Sequence, residues 1–483
     1  MKLLPFILPI LNILHYQHCL IMSDIQDLRV RDLACALESS SSFKGEILSA
    51  KDGEAFSSLN TPWGIQEAEQ PAVVLVPTSA QDVALAVKSA HSKGLTLAIR
   101  SGGLMKSQTK GVSLNLKHLD AYSISSDKSQ VTLGPGQTWQ TVYEKMRDEK
   151  FTVLGGRVSF VGVGGYVGGG GLSYLVGQHG LGSDSIIDAE VVLADGRIVH
   201  AASDPELLFG LKGAASNFGV ITSVTLKTFP KPPVAWSGRL VFPAERFVEI
   251  AGAIHNYTST NEDGRAGILF GSLAPPPDFQ PITLVVPVWF GSAAEGEKHF
   301  DWLLKLGPLV NQMMEMSYED LGKLQDSGAT PAGVLAAWQT SVVPRVSDEK
   351  TAAAALQWQG ELVAKDPRFG GTVLLFEPFV KNVFADVDDS TVAWPHKGEH
   401  MTVIGLMVLS PDPTLAGVPE ALRDGVSRIA AAAPAGVHPQ YPNYAFLHGE
   451  KAEDYYGANV QKLRLIKKRL DPTNFFKGTV PLA

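Results

Sequence analysis

The stretch "GGRVSFVGVGGYVGGGGLSYLVGQHGLGSD", Gly155 to Asp184, holds twelve glycines in thirty positions. Glycine tolerates positive φ and lets backbone N–H groups come close to a ligand. A row of such N–H groups forms a nest suited to an anion such as a pyrophosphate. Apolar residues interrupt the glycines at Val161, Val163, Tyr166, Val167, Leu172, Tyr174 and Leu175. A flexible linker has no use for core residues at that density, so the stretch reads as folded. A second glycine turn closes "LAIRSGGLMKS", Leu97–Ser107, and a third is Pro135-Gly136-Gln137. The pattern is not the nucleotide fingerprint of an open parallel sheet. That motif follows the first strand, opens a helix and is answered by an acidic residue about 20 positions on.

Upstream, "AVVLVP", Ala72–Pro77, is a continuous β-branched run, as a strand buried on both faces requires. Thr78 with Gln81 makes a capping-box pattern. Val83, Val87 and Ala90 then share one helix face, which closes near Lys93-Gly94. "LTLAIRSGG" completes strand, helix, strand. "QVTLGPGQTWQTVYEKMRDEK" reads as strand, Pro-Gly turn and helix, with Trp139, Val142, Tyr143 and Met146 on one face. "IIDAEVVLADGRIVHA" reads as a hairpin with Asp195-Gly196 as a two-residue turn. "PKPPVAW" breaks the pattern near Pro230. Mixed strands and helices, among them "PITLVVPVWF", then run to about Gly425. "AAAPAG", Ala431–Gly436, marks the return. A last helix ends at Leu470, before Pro472.

The 483 residues exceed one core and imply two or three domains. A net charge of −8 with no long basic run argues against nucleic acid as a partner. Cys19 and Cys35 both precede the expected core and offer neither a disulfide framework nor a Cys-based metal site. No H-E-x-x-H, EF-hand loop or G-x-S-x-G elbow is present, so no metal is expected. The apolar run "LLPFILPILNIL" after Lys2 is too short to span a bilayer with any margin. It reads as a signal-like segment, or as a dispensable extension ahead of Met22. The sequence leaves the location unknown, with the secretory pathway and the cytoplasm both open.

Eight motifs in order carry a resemblance: "PAVVLVPTSAQDVALAVKSA", "IRSGG", "LGPGQTW", "VGVGGYVGGGGLSYL", "GLGSDSIIDAEVVLADGRIV", "LLFGLKGAASNFGVITSVTLKTFP", "YPNYAF" and "YYGANVQKLRLIKKRLDPTNFF". Together they resemble the FAD-linked oxidases of the vanillyl-alcohol oxidase and p-cresol methylhydroxylase superfamily, in its berberine-bridge-enzyme-like group of fungal biosynthetic type. The resemblance implies an α+β fold. A two-part FAD-binding domain of the p-cresol methylhydroxylase type would span residues 23–230 and be completed by 431–483. A substrate domain with an antiparallel sheet would occupy 231–430.

It also implies contacts. Arg100, Ser101, Gly102, Gly103 and Leu104 would wrap the pyrophosphate of FAD. Gly136, Gly164, Gly165, Gly168 and Gly169, with Val158 and Leu172, would line the cofactor channel. Asn217, Gly219 and Ile221 would meet the adenine side or the flavin edge. Tyr441 and Asn443 of "YPNY" would sit near the flavin ring, with Asn474 close by or bracing its loop. In relatives a histidine and a cysteine bind the flavin covalently. Here those positions are Leu104 and Val158, which carry no nucleophile, so non-covalent FAD is expected.

The implied function is FAD-dependent oxidation of a small organic, secondary-metabolite substrate by hydride transfer, with oxygen as one candidate acceptor. The alternative is a non-redox cyclase on the same fold that keeps FAD structurally or has lost it. Oxidation needs a base for the substrate's proton. Tyr441 is the first candidate, its phenol acting if neighbours lower its pKa. His396 of "WPHKGEH", near Glu399 and His400, is the second. Glu377 of "LLFEPF" is the third. Tyr166, inside the glycine run, is placed to face the flavin.

Overall fold

The computed structural model describes residues 25–61, 63–64, 69–104, 109–275, 280–328, 334–344, 348–379, 383–384, 387–397, 401–433, 440–445, 447 and 449–483. The extension expected over 1–22 lies outside the described residues, as do Met105–Ser107, Glu399 and His400. The architecture is α+β, with sheets and helices in the arrangement that the sequence implies.

The first sheet takes the order Glu46–Leu48, Val73–Val76, Val112–Asn115, Leu97–Arg100. Both Val73–Val76 and Leu97–Arg100 run parallel to Val112–Asn115. All four side chains of Val73–Val76 are fully buried, which is why that run is unbroken in apolar character. Helix Ala80–Ser92 follows and buries Val83, Ala86, Val87 and Ala90. Its N-cap is Ser79, whose hydroxyl accepts from Asp82 N–H, not Thr78 paired with Gln81. The Thr78 hydroxyl instead donates to Asp82 Oδ2 at 2.8 Å. Asp82, buried and also accepting from Lys44 N–H, is the acceptor that the sequence pattern did not reveal. Cys35 does not precede the core: it is buried in it, on helix Leu28–Glu38.

A second, antiparallel sheet takes the order Tyr122–Ile124, Gln130–Leu133, Val220–Lys227, Ile186–Val192, Ile198–His200. The hairpin loop is longer than two residues. Leu193 N–H donates to Arg197 O, Gly196 N–H donates to Leu193 O, and Gly196 has φ of 85°. That is a type I turn closed by a left-handed glycine.

Among the described residues the third sheet has nine strands, all paired antiparallel, between Ala235–Ser237 and Met401–Ser410. Its two faces belong to different cores. Ile268, Phe270, Val285, Leu374 and Phe376 pack on helices Phe247–Thr260, Glu349–Lys365 and Val418–Ala432. Leu269, Val286, Val288 and the partly buried Leu284 and Leu375 face the glycine-rich lobe. Strand alternation thus sorts one continuous apolar run into two surfaces. The C-terminal segment returns to the first lobe. Helix Val460–Leu470 buries Val460, Leu463 and Ile466, while Phe476 enters the core of the parallel sheet.

Candidate active site

A cavity of about 1360 Å³ lies between the glycine loops and the face of the third sheet that opposes them. It exceeds the ~300–1,000 Å³ of a typical single-ligand pocket, so it holds room for a dinucleotide and a second molecule.

The cofactor half is built by glycines that touch. A Cβ on Gly102 would overlap the backbone of Gly162, and one on Gly162 would overlap Gly102, so the two loops meet main chain to main chain. Gly103 has φ of 76°, and a Cβ there would strike the Arg100 guanidinium. Gly165 is the opposite case: a Cβ would meet nothing within 4 Å, because that face opens on the cavity. Ser101, Gly102, Gly103, Leu104, Val158, Gly164, Gly165, Gly168, Gly169, Leu172, Gly219 and Ile221 all line the cavity. Arg100 does not. It lies behind the turn, donating Nη2 to Thr61 O at 2.5 Å, with Nη1 unpartnered. Burial lowers its pKa, and no carboxylate faces it among the described residues. A buried cation behind two glycines suits a diphosphate in front of them.

Gly136 is structural: a Cβ would overlap Leu116 O, and its N–H donates to Leu119 O. Asn217 is fully buried outside the lining, with Nδ2 donating to Val480 O at 3.1 Å and a Cβ on Gly478 colliding with its amide. It braces the C-terminal segment. Asn474 lines the cavity at φ 53° and donates to Ala483 O at 3.3 Å.

The two halves join at a polar cluster. Glu377, 1 % exposed on strand Val373–Pro378, accepts at Oε1 from Arg157 Nη2 at 2.7 Å and from the Tyr444 hydroxyl at 3.1 Å. Its Oε2 has no hydrogen-bond partner. Burial opposes the charge of Arg157, but the adjacent Glu377 carboxylate outweighs it and leaves the guanidinium pKa raised. The Tyr441 hydroxyl accepts from Gly171 N–H at 2.8 Å and from Asn443 Nδ2 at 3.1 Å. Asn443 also donates to Tyr166 O at 2.8 Å, and a Cβ on Gly169 would overlap its amide oxygen. The expectation of a lowered phenol pKa fails. Burial pushes Tyr441 up, and the two donors only partly offset it. Burial does the same to Tyr166, which lines the cavity with its hydroxyl unpartnered.

His396 is elsewhere. It is 1 % exposed and absent from the cavity lining, with Nδ1 against Trp394 O at 2.7 Å and Nε2 against Asp184 Oδ2 at 3.2 Å. Trp394 separates it from Tyr441, its rings lying 5.2 Å from His396 and 5.1 Å from Tyr441. Arg157, Tyr444 and Trp338 were missed at the sequence level. Arg157 was findable as the lone cation in the glycine-rich stretch. No groups of three or more His, Cys, Asp or Glu residues among the described residues could hold a metal ion.

Residues 71–202 match the model described as FAD binding domain, and residues 440–479 match that for berberine and berberine like. An uncharacterized FAD-linked oxidoreductase of Arthroderma benhamiae is 32% identical over 52% of this chain and 51% of its own length. The FAD-linked oxidoreductase chyH of Penicillium rubens is 25% identical over 89% and 90%. The FAD-dependent monooxygenase tpcD of Cochliobolus heterostrophus is 26% identical over 86% and 85%. The matched stretch thus spans about half the length of the Arthroderma relative and most of the other two. Among solved structures, xylooligosaccharide oxidase of Myceliophthora thermophila in complex with xylobiose superposes with a TM-score of 0.80 at 20% identity, covering 94% of this chain and 98% of that one. Berberine bridge enzyme in complex with (S)-reticuline gives 0.79 at 18%, covering 94% and 98%. These two likenesses speak for the fold.

Proposed function

We propose, from the premise that the chain belongs to the berberine-bridge-like FAD-linked oxidoreductases, that it oxidises a small organic substrate beside non-covalently held FAD. The observation that carries this reading is the continuity of one cavity from the paired glycine loops to Glu377 and Tyr441. The residues present fit the cofactor: close-packed glycines, a buried Arg100 behind them whose Nη1 has no hydrogen-bond partner among the described residues, and space beside Gly165 that any side chain would narrow. Ser101–Leu104 and Gly162–Gly169 would hold FAD, and FAD supplies the acceptor for a substrate hydride.

The protein's own task is the proton. Glu377 is the better base of the three candidates. It lines the cavity, Arg157 fixes its Oε1, and its buried Oε2 has no hydrogen-bond partner among the described residues. Tyr441 receives two hydrogen bonds at its oxygen, so its own O–H is left to donate into the cavity and orient a bound oxygen atom. Leu104 and Val158 offer apolar walls where relatives make bonds, so FAD rests on ordinary affinity. Fungal relatives named as FAD-linked oxidoreductases and FAD-dependent monooxygenases favour a biosynthetic role with oxygen as acceptor.

The test is a visible spectrum of the purified protein followed by acid precipitation. The reading expects a yellow protein that releases all its FAD to the supernatant. Flavin that stays with the pellet would refute non-covalent binding, and a colourless protein that takes up no added FAD would refute the assignment. Bleaching under anaerobic substrate and recovery in air would separate redox use from a structural flavin.

A further inference from the structure

We infer that a groove at the edge of the third sheet is a site of methionine oxidation by hydrogen peroxide, and that the sulfoxide formed there loosens one wall of the cavity. Six of the nine methionines lie among the described residues. Met146, Met401 and Met407 are buried. The other three, Met313, Met314 and Met316, stand within four positions and line one groove, with Met314 59 % exposed. Among the described residues, strand Met314–Met316 pairs on one side only, with Ala235–Ser237, so the groove opens at the sheet's edge. A thioether takes one oxygen atom from peroxide. The O–O bond breaks, an S–O bond forms, the sulfur gives up two electrons, and the second oxygen leaves as water with both protons. A flexible apolar side chain thereby becomes a polar one.

Leu324 and Arg239 share the groove with the methionines. Arg239 Nη2 donates to Leu324 O at 2.5 Å and to Ser327 Oγ at 2.8 Å, and so holds both ends of a short loop. Between those ends stand Gln325, on the wall of the large cavity, and Asp326. The Asp326 carboxylate accepts from Ser159 N–H at 2.8 Å and from Ser159 Oγ at 2.6 Å, which ties the loop to the glycine-rich stretch beside Val158. A thioether is a weak acceptor and leaves Arg239 to this task. A sulfoxide oxygen is a strong one, and beside Leu324 it must find a donor or lose its water without replacement. Of the described groove residues only Arg239 and Gln312 have donor side chains, and Arg239 alone carries a charge. Oxidation therefore sets a new oxygen against Leu324 O and Ser327 Oγ in competition for one guanidinium.

The experiment treats the purified protein with graded hydrogen peroxide, without substrate. Peptide mass mapping locates the sulfoxides, and amide hydrogen exchange follows residues 321–328 and 157–161. The three groove methionines should oxidise at least tenfold faster than Met146, Met401 and Met407. Exchange in both segments should then rise at least fivefold, and a methionine sulfoxide reductase should reverse both changes. Met313→Leu, Met314→Leu and Met316→Leu together keep the apolar volume and should abolish the response. Arg239→Met should exchange fast before any peroxide is added, with no further rise after it. Met407 oxidising as fast as the groove, groove sulfoxides with unchanged exchange in both segments, or a response that survives in the triple leucine variant would each overturn the inference. None of these readouts needs a working flavin, so the result stands apart from the proposed function.

Discussion

At the scale of single residues, two candidates for proton handling can be told apart by magnitude. Glu377→Gln removes the carboxylate of the proposed base, a cavity-lining residue held by Arg157, and turnover should fall about 10²–10⁴-fold, the range of a lost general base. Tyr441→Phe removes a hydrogen-bonding oxygen whose loss is worth about tenfold. It also leaves Gly171 N–H without its acceptor. Anaerobic flavin reduction rates measure both, and a larger loss from Tyr441→Phe would reverse the assignment. His396 answers to pH instead. Its burial disfavours the charged ring, but Asp184 outweighs that and raises its pKa above the ordinary value. The folded protein therefore holds this proton more tightly than the unfolded chain. The resulting stability is full below the ordinary pKa of about 6.5 and is lost as pH rises through the raised one. Urea midpoints measured on either side should fall with rising pH, and His396→Gln should flatten that slope. An unchanged slope would mean that another group titrates.

At the scale of elements, the glycine loops give a paired prediction. Gly102→Ala forces a Cβ into the backbone of Gly162, so the loops must separate, the melting temperature should drop and FAD should leave readily. Gly165→Ala meets no neighbour and sits inside helix Val163–Gly168, where alanine is favoured by about 1 kcal/mol. The apoprotein should be as stable or slightly more so, with only FAD affinity reduced. Equal effects of the two would contradict the geometry. These elements were legible because their causes are local: the apolar run Val73–Val76, the Trp139 helix face and the density of glycine each state their own environment. The misread N-cap shows where locality ends. Thr78 and Ser79 are both good caps, and the choice is made by Asp82, whose second carboxylate oxygen is engaged by Thr78 and whose first is engaged by Lys44 from another element. The hairpin turn failed for a similar reason, since the strand register decides how many residues stay outside the ladder.

At the scale of the whole molecule, what the sequence could not display are contacts between distant segments. Arg157 and Glu377 are 220 positions apart, and no periodicity links them. The same holds for the tie that closes the cavity's far wall. Lys467 is 3 % exposed, yet its ammonium reaches three acceptors: Asn217 O and Asp471 Oδ2, each at 2.7 Å, and Phe476 O. Asp471 in turn accepts from the N–H groups of Phe475 and Phe476. Thr473–Thr479 line the cavity, so this buried pair holds a stretch of its wall against the first lobe. Lys467→Met fills the volume but strands the Asp471 carboxylate and two carbonyls. Breaking a buried pair from one side costs about 3–5 kcal/mol, which should appear as a lower urea midpoint. Asp471 itself is held at a lowered pKa, its burial outweighed by Lys467 and the two N–H groups. Its share of stability is therefore present above the ordinary carboxylate range and lost as pH falls through the lowered value. In Lys467→Met the acid-side transition should move to higher pH, and FAD should dissociate faster because the wall is no longer fixed. If the midpoint, the acid transition and the FAD off-rate all match the unsubstituted protein, the C-terminal segment is held by its apolar residues alone and Lys467 is incidental.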